Sequence, residues 1–128
     1  MTLFGRKRKE RVIDEETKRC IKRNVINYLK RSAPGIYTSL NKYYLMKFNK
    51  EFIELLLEEP GKCYQTLIVY FGNPDSAEYF IYCLLERIFS FNPFYTSTAL
   101  IALKEGNDDE FKRLIMATSS GNMQATIL

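Results

Sequence analysis

The sequence predicts an all-α protein, a compact bundle of six to seven short helices, and three observations support this fold class. Apolar residues recur at helical spacing along most of the chain. Proline, glycine and asparagine fall between these segments, where helices begin and end. At 128 residues, of which 46% are hydrophobic, the chain is long enough to bury a core as one domain.

A flexible basic arm at residues 1–13 is expected to precede the first helix, which is predicted at about residues 15–32. Asp14 is suited to cap this helix, and the two glutamates that follow it place negative charge where the helix dipole favours acids. We expect Pro34-Gly35 to end the helix. The apolar stripe that should face the core consists of Ile21, Val25, Tyr28 and Leu29.

Three shorter helices are predicted in the next part of the chain. The second helix covers about residues 36–48, and Asn49 is expected to cap a short third helix that Pro60-Gly61 ends. Residues 63–71 suit either a strand or a helix, because Thr-Leu-Ile-Val-Tyr-Phe is prone to β-structure while the apolar residues also have helical spacing. We favour a helix, since no partner strand is found elsewhere and Gly72 suits a C-terminal cap.

Two Asn-Pro pairs are strong start signals for the fifth and sixth helices. In Asn73-Pro74 and Asn92-Pro93 the asparagine suits the cap and the proline suits the first helical position. The helix at about 74–89 is apolar on most sides, so it is predicted to be the buried centre of the bundle. The helix that follows is expected to end at Gly106.

The last helix is predicted to begin after Asn107, which resembles a capping box together with Glu110. Residues 119–128 have no helical register and are expected to form a flexible tail. The resulting organisation is a basic arm at 1–13, a single helical domain at 14–118 and this tail.

The residue types that carry most enzymatic chemistry are absent from this chain or isolated in it. The chain has no histidine, which removes the commonest general base near neutral pH and the commonest zinc ligand. The acidic cluster at 108–110 is accounted for by a helix start. We therefore expect no catalytic residue, no metal and no cofactor, in a protein that is not an enzyme. The isolated glycines, each expected where a helix stops and none in a phosphate-binding loop, are Gly35, Gly61, Gly72 and Gly106.

The three cysteines, Cys20, Cys63 and Cys83, are widely spaced and fall in predicted helices. They are expected to be reduced thiols, which indicates an intracellular, cytoplasmic location. No secretory signal is predicted, because no apolar run follows the basic N terminus. The longest uncharged stretch, 88–103, is interrupted by Asn92-Pro93 and falls short of the ~20 apolar residues of a membrane-spanning helix. We therefore expect a soluble protein.

Charge is divided unevenly along the chain. Up to residue 50 there are 14 lysines and arginines against 4 acids, and from residue 51 onward there are 5 against 11. Such a field favours an anionic partner, although lysine and arginine are also the ordinary covering of a solvated helix face. The basic residues predicted to contact that partner are Arg6, Lys7, Arg8, Lys9 and Arg11 in the arm and Arg19, Lys22, Arg23, Lys30 and Arg31 on the first helix.

Binding or regulation is the expected function, and three classes of partner stay open. The first is a protein, including a second copy of the chain, because many large apolar residues in a small domain leave an exposed patch. The second is nucleic acid, with Tyr37, Tyr43 and Tyr44 as stacking faces among lysines, although tyrosines at helical spacing usually lie at the rim of the core. The third is an anionic membrane surface, which suits an arm that contains Leu3-Phe4.

The middle of the chain has a pattern of apolar and glycine residues that consists of Phe52-x-x-x-Leu56, Tyr70-Phe71-Gly72, Ala77, Ile81 and Leu84-Leu85. In this pattern the segment 52–89 resembles small all-helical output domains of archaeal signalling proteins. The resemblance covers under a third of the chain and leaves out the basic N-terminal segment. It implies an all-helical fold and a regulatory role without enzymatic activity, and it supplies no catalytic residue.

Overall fold

Seven α-helices account for most of residues 12–118, the part of the chain that the structure, a computed structural model, describes. No strand occurs in this part, so the prediction of an all-α fold is confirmed, and residues 63–71 are helical as preferred. Within the same residues no helix is both long enough and apolar enough to cross a membrane. The helices are α1 (Glu15–Ser32), α2 (Pro34–Phe48), α3 (Phe52–Glu58), α4 (Pro60–Phe71), α5 (Pro74–Ile88), α6 (Pro93–Glu105) and α7 (Asp108–Ala117).

Side-chain caps begin four of these helices, as predicted. Each cap oxygen accepts a hydrogen bond of 2.8 to 3.1 Å from the backbone N–H three residues further on. Gly72 and Gly106 end α4 and α6 in the left-handed conformation, which glycine adopts freely because it has no Cβ. The four cap residues are Asp14, Asn73, Asn92 and Asn107.

Three boundaries differ from the prediction. Asn49 does not cap α3, because it ends α2 in the left-handed conformation with a φ of 60°. Glu51 caps α3 instead, and its capping box with Glu54 satisfies N–H groups at the start of the helix. Pro34-Gly35 and Pro60-Gly61 each form the first turn of a following helix, because proline at the first helical position lacks only an N–H that has no intrahelical partner.

The fourth and fifth helices connect the other parts of the bundle. α4 packs against α3, α5, α6 and α7, while α5 packs against α1, α4 and α6. α5 buries four residues, Ala77, Ile81, Leu84 and Leu85, but Tyr79 on its outer side is 74% exposed. That α5 is the buried centre of the bundle stays a prediction, since α4 occupies a similar position.

The core extends into the segment that the sequence assigned to the flexible arm. Ile13 is only 1% exposed and belongs to the main apolar cluster, whereas its neighbour Val12 is 68% exposed. Residues 1–11 of the predicted arm and residues 119–128 of the predicted tail lie outside the described residues.

Tyr44 joins three helices inside the core. Its ring is fully buried and meets Phe52 of α3 edge-on, with the ring centroids 5.3 Å apart. Its hydroxyl donates a hydrogen bond of 2.7 Å to the backbone carbonyl of Cys63 in α4. Burial raises the pKa of Tyr44 and the pKa of the Cys63 thiol, so both groups stay protonated in the folded protein.

Gly61 lies where the start of α4 closely approaches the α6–α7 connection. A Cβ at this position would lie 3.0 Å from Oδ1 of Asp108 and 3.1 Å from Cα of Gly106. The Gly61 N–H also donates a hydrogen bond of 2.8 Å to Oδ1 of Asp108. The absence of a side chain at Gly61 therefore allows α4 and α7 to meet.

We expect Gly61→Ala to destabilise the protein and Gly35→Ala to stabilise it. The new methyl group at 61 has to displace backbone and carboxylate atoms, which costs about 1–3 kcal/mol. A Cβ at 35 meets nothing within 4 Å, and alanine restricts the unfolded chain, which adds about 0.4–1 kcal/mol. Denaturant unfolding of the two variants measures both effects, and a G61A protein as stable as G35A would contradict the close approach.

Candidate functional site

Four of the five basic residues proposed on α1 lie on its solvent side. Arg19, Arg23 and Lys30 are exposed and share one stripe of the helix, because they are spaced by four and seven residues. Arg31 is also exposed, one step further round the helix. Among residues 12–118 none of these four cations has a carboxylate within 4.0 Å.

Lys22, the fifth of these residues, is held by the fold instead. Its Nζ lies 3.6 Å from Oε2 of Glu54 in α3. Close by, Nζ of Lys18 lies 4.0 Å and Nζ of Lys50 lies 2.6 Å from the carboxylate of Glu58. The acids of α3 therefore neutralise the edge of α1 that packs on them, and the unpaired basic face is narrower than the sequence indicated.

The tyrosines proposed as stacking faces are engaged within the protein. Tyr44 is buried, so this part of the prediction is wrong. Tyr43 packs edge-on against Tyr44 and Tyr70, with centroid separations of 6.0 and 5.3 Å. The ring of Tyr37 lies 5.9 Å from Nζ of Lys30. The basic residues proposed in the arm, which also support the membrane-surface prediction, lie outside the described residues and are Arg6, Lys7, Arg8, Lys9 and Arg11.

An apolar groove lies between the α1–α2 corner and α5, and we call it the α5 groove. It encloses about 590 Å³, which is within the range of ligand sites in proteins. Its lining includes Ile36 and Tyr79, which are 36% and 74% exposed. Its principal lining residues are Tyr28, Ile36, Phe71, Tyr79, Phe80 and Cys83.

A second pocket, of about 370 Å³, lies between α1 and the α5–α6 connection, and we call it the Arg87 pocket. The guanidinium of Arg87 lies 4.5 Å from the ring centroid of Tyr28 and 5.1 Å from that of Phe91. Cation–aromatic contacts of this length are favourable, so the three side chains position one another. The remaining lining residues are Asn24, Asn27, Arg31 and Ser90.

The α5–α6 connection that carries Phe91 has an uncommon backbone. Ser90 and Phe91 have φ values of 53° and 62°, in the left-handed region that costs a non-glycine residue roughly 1–2 kcal/mol. The conformation is held by the Phe91 N–H, which donates to the Glu86 carbonyl at 2.7 Å, and by the Asn92 N–H, which donates to the Phe89 carbonyl at 3.0 Å. The Phe91 ring is 56% exposed.

Sequence reasoning missed both pockets. It assigned Tyr28 only to the apolar stripe of α1 and gave Arg87 and Phe91 no role. The one local signal is that Arg87 and Phe91 are four residues apart at a helix end, where side chains at this spacing meet. The contact between α1 and α5 that completes each pocket is tertiary, and no motif in the sequence indicates it.

Comparison of the chain with protein-family models, with curated protein sequences and with solved structures finds no match. No family is assigned, and the resemblance to archaeal output domains stays a prediction. Across the described part of the chain, no group of three or more cysteine, aspartate or glutamate side chains is arranged to hold a metal ion.

We expect the stability of the protein to fall as the pH drops below about 4.5. The hydrogen bond from Lys50 holds the pKa of Glu58 below its ordinary value of 4.5, and the charges of Lys50 and Lys18 add to this effect. The backbone N–H of Thr17 lowers the pKa of Asp14 in the same direction. A carboxylate whose pKa is lowered by folding stabilises the protein at higher pH, and this contribution is lost as the pH falls through the folded-state pKa.

Denaturant unfolding from neutral pH down to about pH 3 measures this dependence. The free energy of unfolding should stay nearly constant in the neutral range, because the chain has no histidine to titrate there. Glu58→Gln removes one of the two carboxylates and should flatten the acid limb. An acid limb that is the same in E58Q and wild type would contradict the role of Glu58.

Proposed function

We propose that the protein is a non-enzymatic interaction module that binds an amphipathic helix of a protein partner in the α5 groove. The observation that supports this most is the groove itself, an apolar concavity of about 590 Å³ that leaves Tyr79 74% exposed. Concave apolar surface of this kind is typical of helix-in-groove recognition, where side chains at i, i+3 or i+4, and i+7 act as anchors.

The walls of the groove are supported by the packed core. Four helices, α1, α2, α4 and α5, contribute to the lining. Within it the rings of Phe71 and Phe80 contact each other, with their centroids 5.3 Å apart. A site of packed aromatic rings loses little side-chain entropy when a ligand binds. Burial of one leucine, methionine or phenylalanine side chain of the partner contributes about 1.5–3 kcal/mol.

Charge around the α5 groove indicates the chemistry of the partner. Lys30 and Arg31 are exposed on α1 directly before Ser32, which lines one end of the groove. Asp75 lines the α5 side. We infer that the partner helix places acidic residues towards α1 and a basic residue towards Asp75, because complementary charge sets the orientation of a bound segment.

A module of this kind acts by bringing proteins together, which is the regulatory role proposed from the sequence. A second copy of the chain is the alternative occupant of the groove. Phe94 on α6 and Met46 on α2 are 68% and 79% exposed and are candidates for insertion from such a copy. These side chains support self-association less than the groove supports a helix, because each is a single exposed residue and neither lines the groove.

Selection of a displayed library of helix-forming peptides on the full-length protein tests this function. Enriched peptides should combine apolar residues at helical spacing with acidic residues on one flank. Ser76→Trp fills the groove from α5 and should weaken binding of an enriched peptide at least tenfold, or about 1.4 kcal/mol. Ser97→Trp, at an exposed serine of α6 outside the groove, is the matched control and should bind normally.

The two accessible cysteines provide an internal control for the same experiment. Cys83 lines the groove, whereas Cys20 is exposed on α1 outside it. A bound peptide should protect Cys83 from a thiol reagent and leave Cys20 reactive. A dimer in sedimentation velocity that S76W dissociates would instead identify a second copy as the occupant. Peptides that bind S76W and wild type equally would contradict the groove as the binding site.

Nucleic-acid binding is the second candidate function, and the exposed stripe of Arg19, Arg23 and Lys30, which has no carboxylate partner among residues 12–118, favours it. These residues span about 16 Å of α1, given a rise of 1.5 Å per residue. Cations in such a row bind successive phosphates, so their affinity falls steeply with salt, whereas binding in an apolar groove does not. Arg19→Gln combined with Arg23→Gln should reduce the salt dependence, and an unchanged slope would contradict this function.

A further inference from the structure

The Arg87 pocket shares Tyr28 with the α5 groove and includes Arg31, but helix binding in the groove does not use Arg87, Phe91 or the two asparagines. We propose that it binds one nucleotide unit, with the base stacked on Phe91 and the phosphate held by Arg31. The ligand is a free nucleotide or one unit of a single strand, since both offer the same base and phosphate. This inference rests on the second candidate function, and it names the site at which that function acts.

The stacking platform is the first part of the argument. The Arg87 guanidinium lies 4.5 Å from the ring of Tyr28 and 5.1 Å from the ring of Phe91, so Phe91 is supported from one side. The Phe91 ring is nevertheless 56% exposed. Nucleobases stack on supported, exposed aromatic rings and on guanidinium planes. The pocket therefore offers Phe91 as a stacking surface for a base, while the Arg87 guanidinium supports that ring.

The charge of the pocket suits a phosphate. Arg31 and Arg87 both line it, and none of its lining residues is acidic. Within the described range neither arginine has a carboxylate within 4.0 Å. Glu86 precedes Arg87 on α5 and is half-buried outside this lining. Because arginine binds phosphate through two parallel N–H groups, Arg31 is suited to hold it while Arg87 stays in its aromatic stack.

Two amides complete the polar lining. Asn24 and Asn27 are exposed on α1 and line the pocket beside Arg31. An amide has both donors and acceptors, so it hydrogen-bonds to the edge of a base, which offers both. A carboxylate of a peptide has acceptors only and no ring to stack, so it would use the arginines and the amide N–H groups and leave Phe91 and the amide carbonyls without a role.

The backbone of the α5–α6 connection also favours a ligand. Ser90 and Phe91 both stand in the left-handed region, with φ values of 53° and 62°. The left-handed backbone and the exposure of the large apolar ring of Phe91 are both unfavourable in the free protein. Strain of this kind is concentrated at functional sites. A base stacked on Phe91 would cover the ring and reduce its contact with water.

The size of the pocket limits the ligand to one unit. Its volume of about 370 Å³ lies near the lower end of the range for small-molecule sites, which is too small for a helix. Further units of a strand would pass along Arg23 and the neighbouring basic stripe of α1, which is exposed and unpaired among the described residues.

We test this inference by measuring two affinities of the full-length protein at low and high salt. One is for adenosine monophosphate, and the other is for a labelled ten-nucleotide single strand. Phe91→Ala should weaken both about tenfold or more, because the stacking contact is lost. Arg31→Gln should weaken both and lower the slope of log affinity against log salt by about one. Phe94→Ala removes a ring that is 68% exposed outside the pocket and is the matched control, with affinity expected to change less than about twofold.

Thermal unfolding of each variant shows that it remains folded, and Ser76→Trp shows whether the two sites are separate. S76W should bind nucleotide like wild type, so failure of the groove proposal would leave this one intact. A strand that binds far more tightly than the mononucleotide identifies a single strand as the ligand, and equal affinity identifies a free nucleotide. Any one of three results would overturn the proposal. These are equal binding by F91A and F94A, equal binding of duplex and single strand, and no binding at low salt.

Discussion

The buried hydroxyl of Tyr44 limits how the first half of the chain meets the second. A buried hydroxyl without a partner is costly, so α2 has to place it against the carbonyl of Cys63 in α4. Phe52 then lies across its ring, and the Cys63 thiol lies 3.7 Å from the Phe52 carbonyl. These contacts set the position of α4, on which α5 packs, and α1 packs on α5 in turn. The geometry of the α5 groove and of the Arg87 pocket therefore depends on the hydrogen bond between Tyr44 and Cys63, although neither residue lines either site.

The sequence was most informative where structure is decided locally. Asn73-Pro74 and Asn92-Pro93 begin helices because a cap bond joins residues three apart and needs no other part of the chain. Asn49 was misplaced because it stands between two helices, where it suits the end of one as well as the start of the next. α3 begins instead after Glu51, which forms a capping box with Glu54. Pro60-Gly61 was also misplaced, because proline and glycine after a helix suit the first turn of the next helix as well as the end of the previous one.

The candidate sites show the same division between local and tertiary information. The sequence indicated that α1 is basic, but it did not indicate that the acids of α3 would neutralise Lys22 and leave Arg23 unpaired among the described residues. Tyr44 was weighed both as a stacking face among lysines and as a residue at the rim of the core, and its packing on α3 and α4 shows that it is buried. Tyr28 and Arg87 are 59 positions apart in the chain and meet only when α1 packs on α5. No pattern in a single sequence indicates a contact of this kind.

The order in which the helices make contact has a consequence for when the two pockets form. Most packed pairs, such as α3 with α4 and α6 with α7, are adjacent in sequence and therefore form rapidly. Both α4 and α1 also make contacts with helices further along the chain, and α1 packs on α3 and α5 as well as on α2. Both pockets include residues of α1 and α5, so neither forms before these two helices pack, and the Arg87 pocket also needs Ser90 and Phe91 beyond the end of α5. A chain in which α1 has not packed on α5 lacks both pockets, so the recognition proposed above would require these two helices in place.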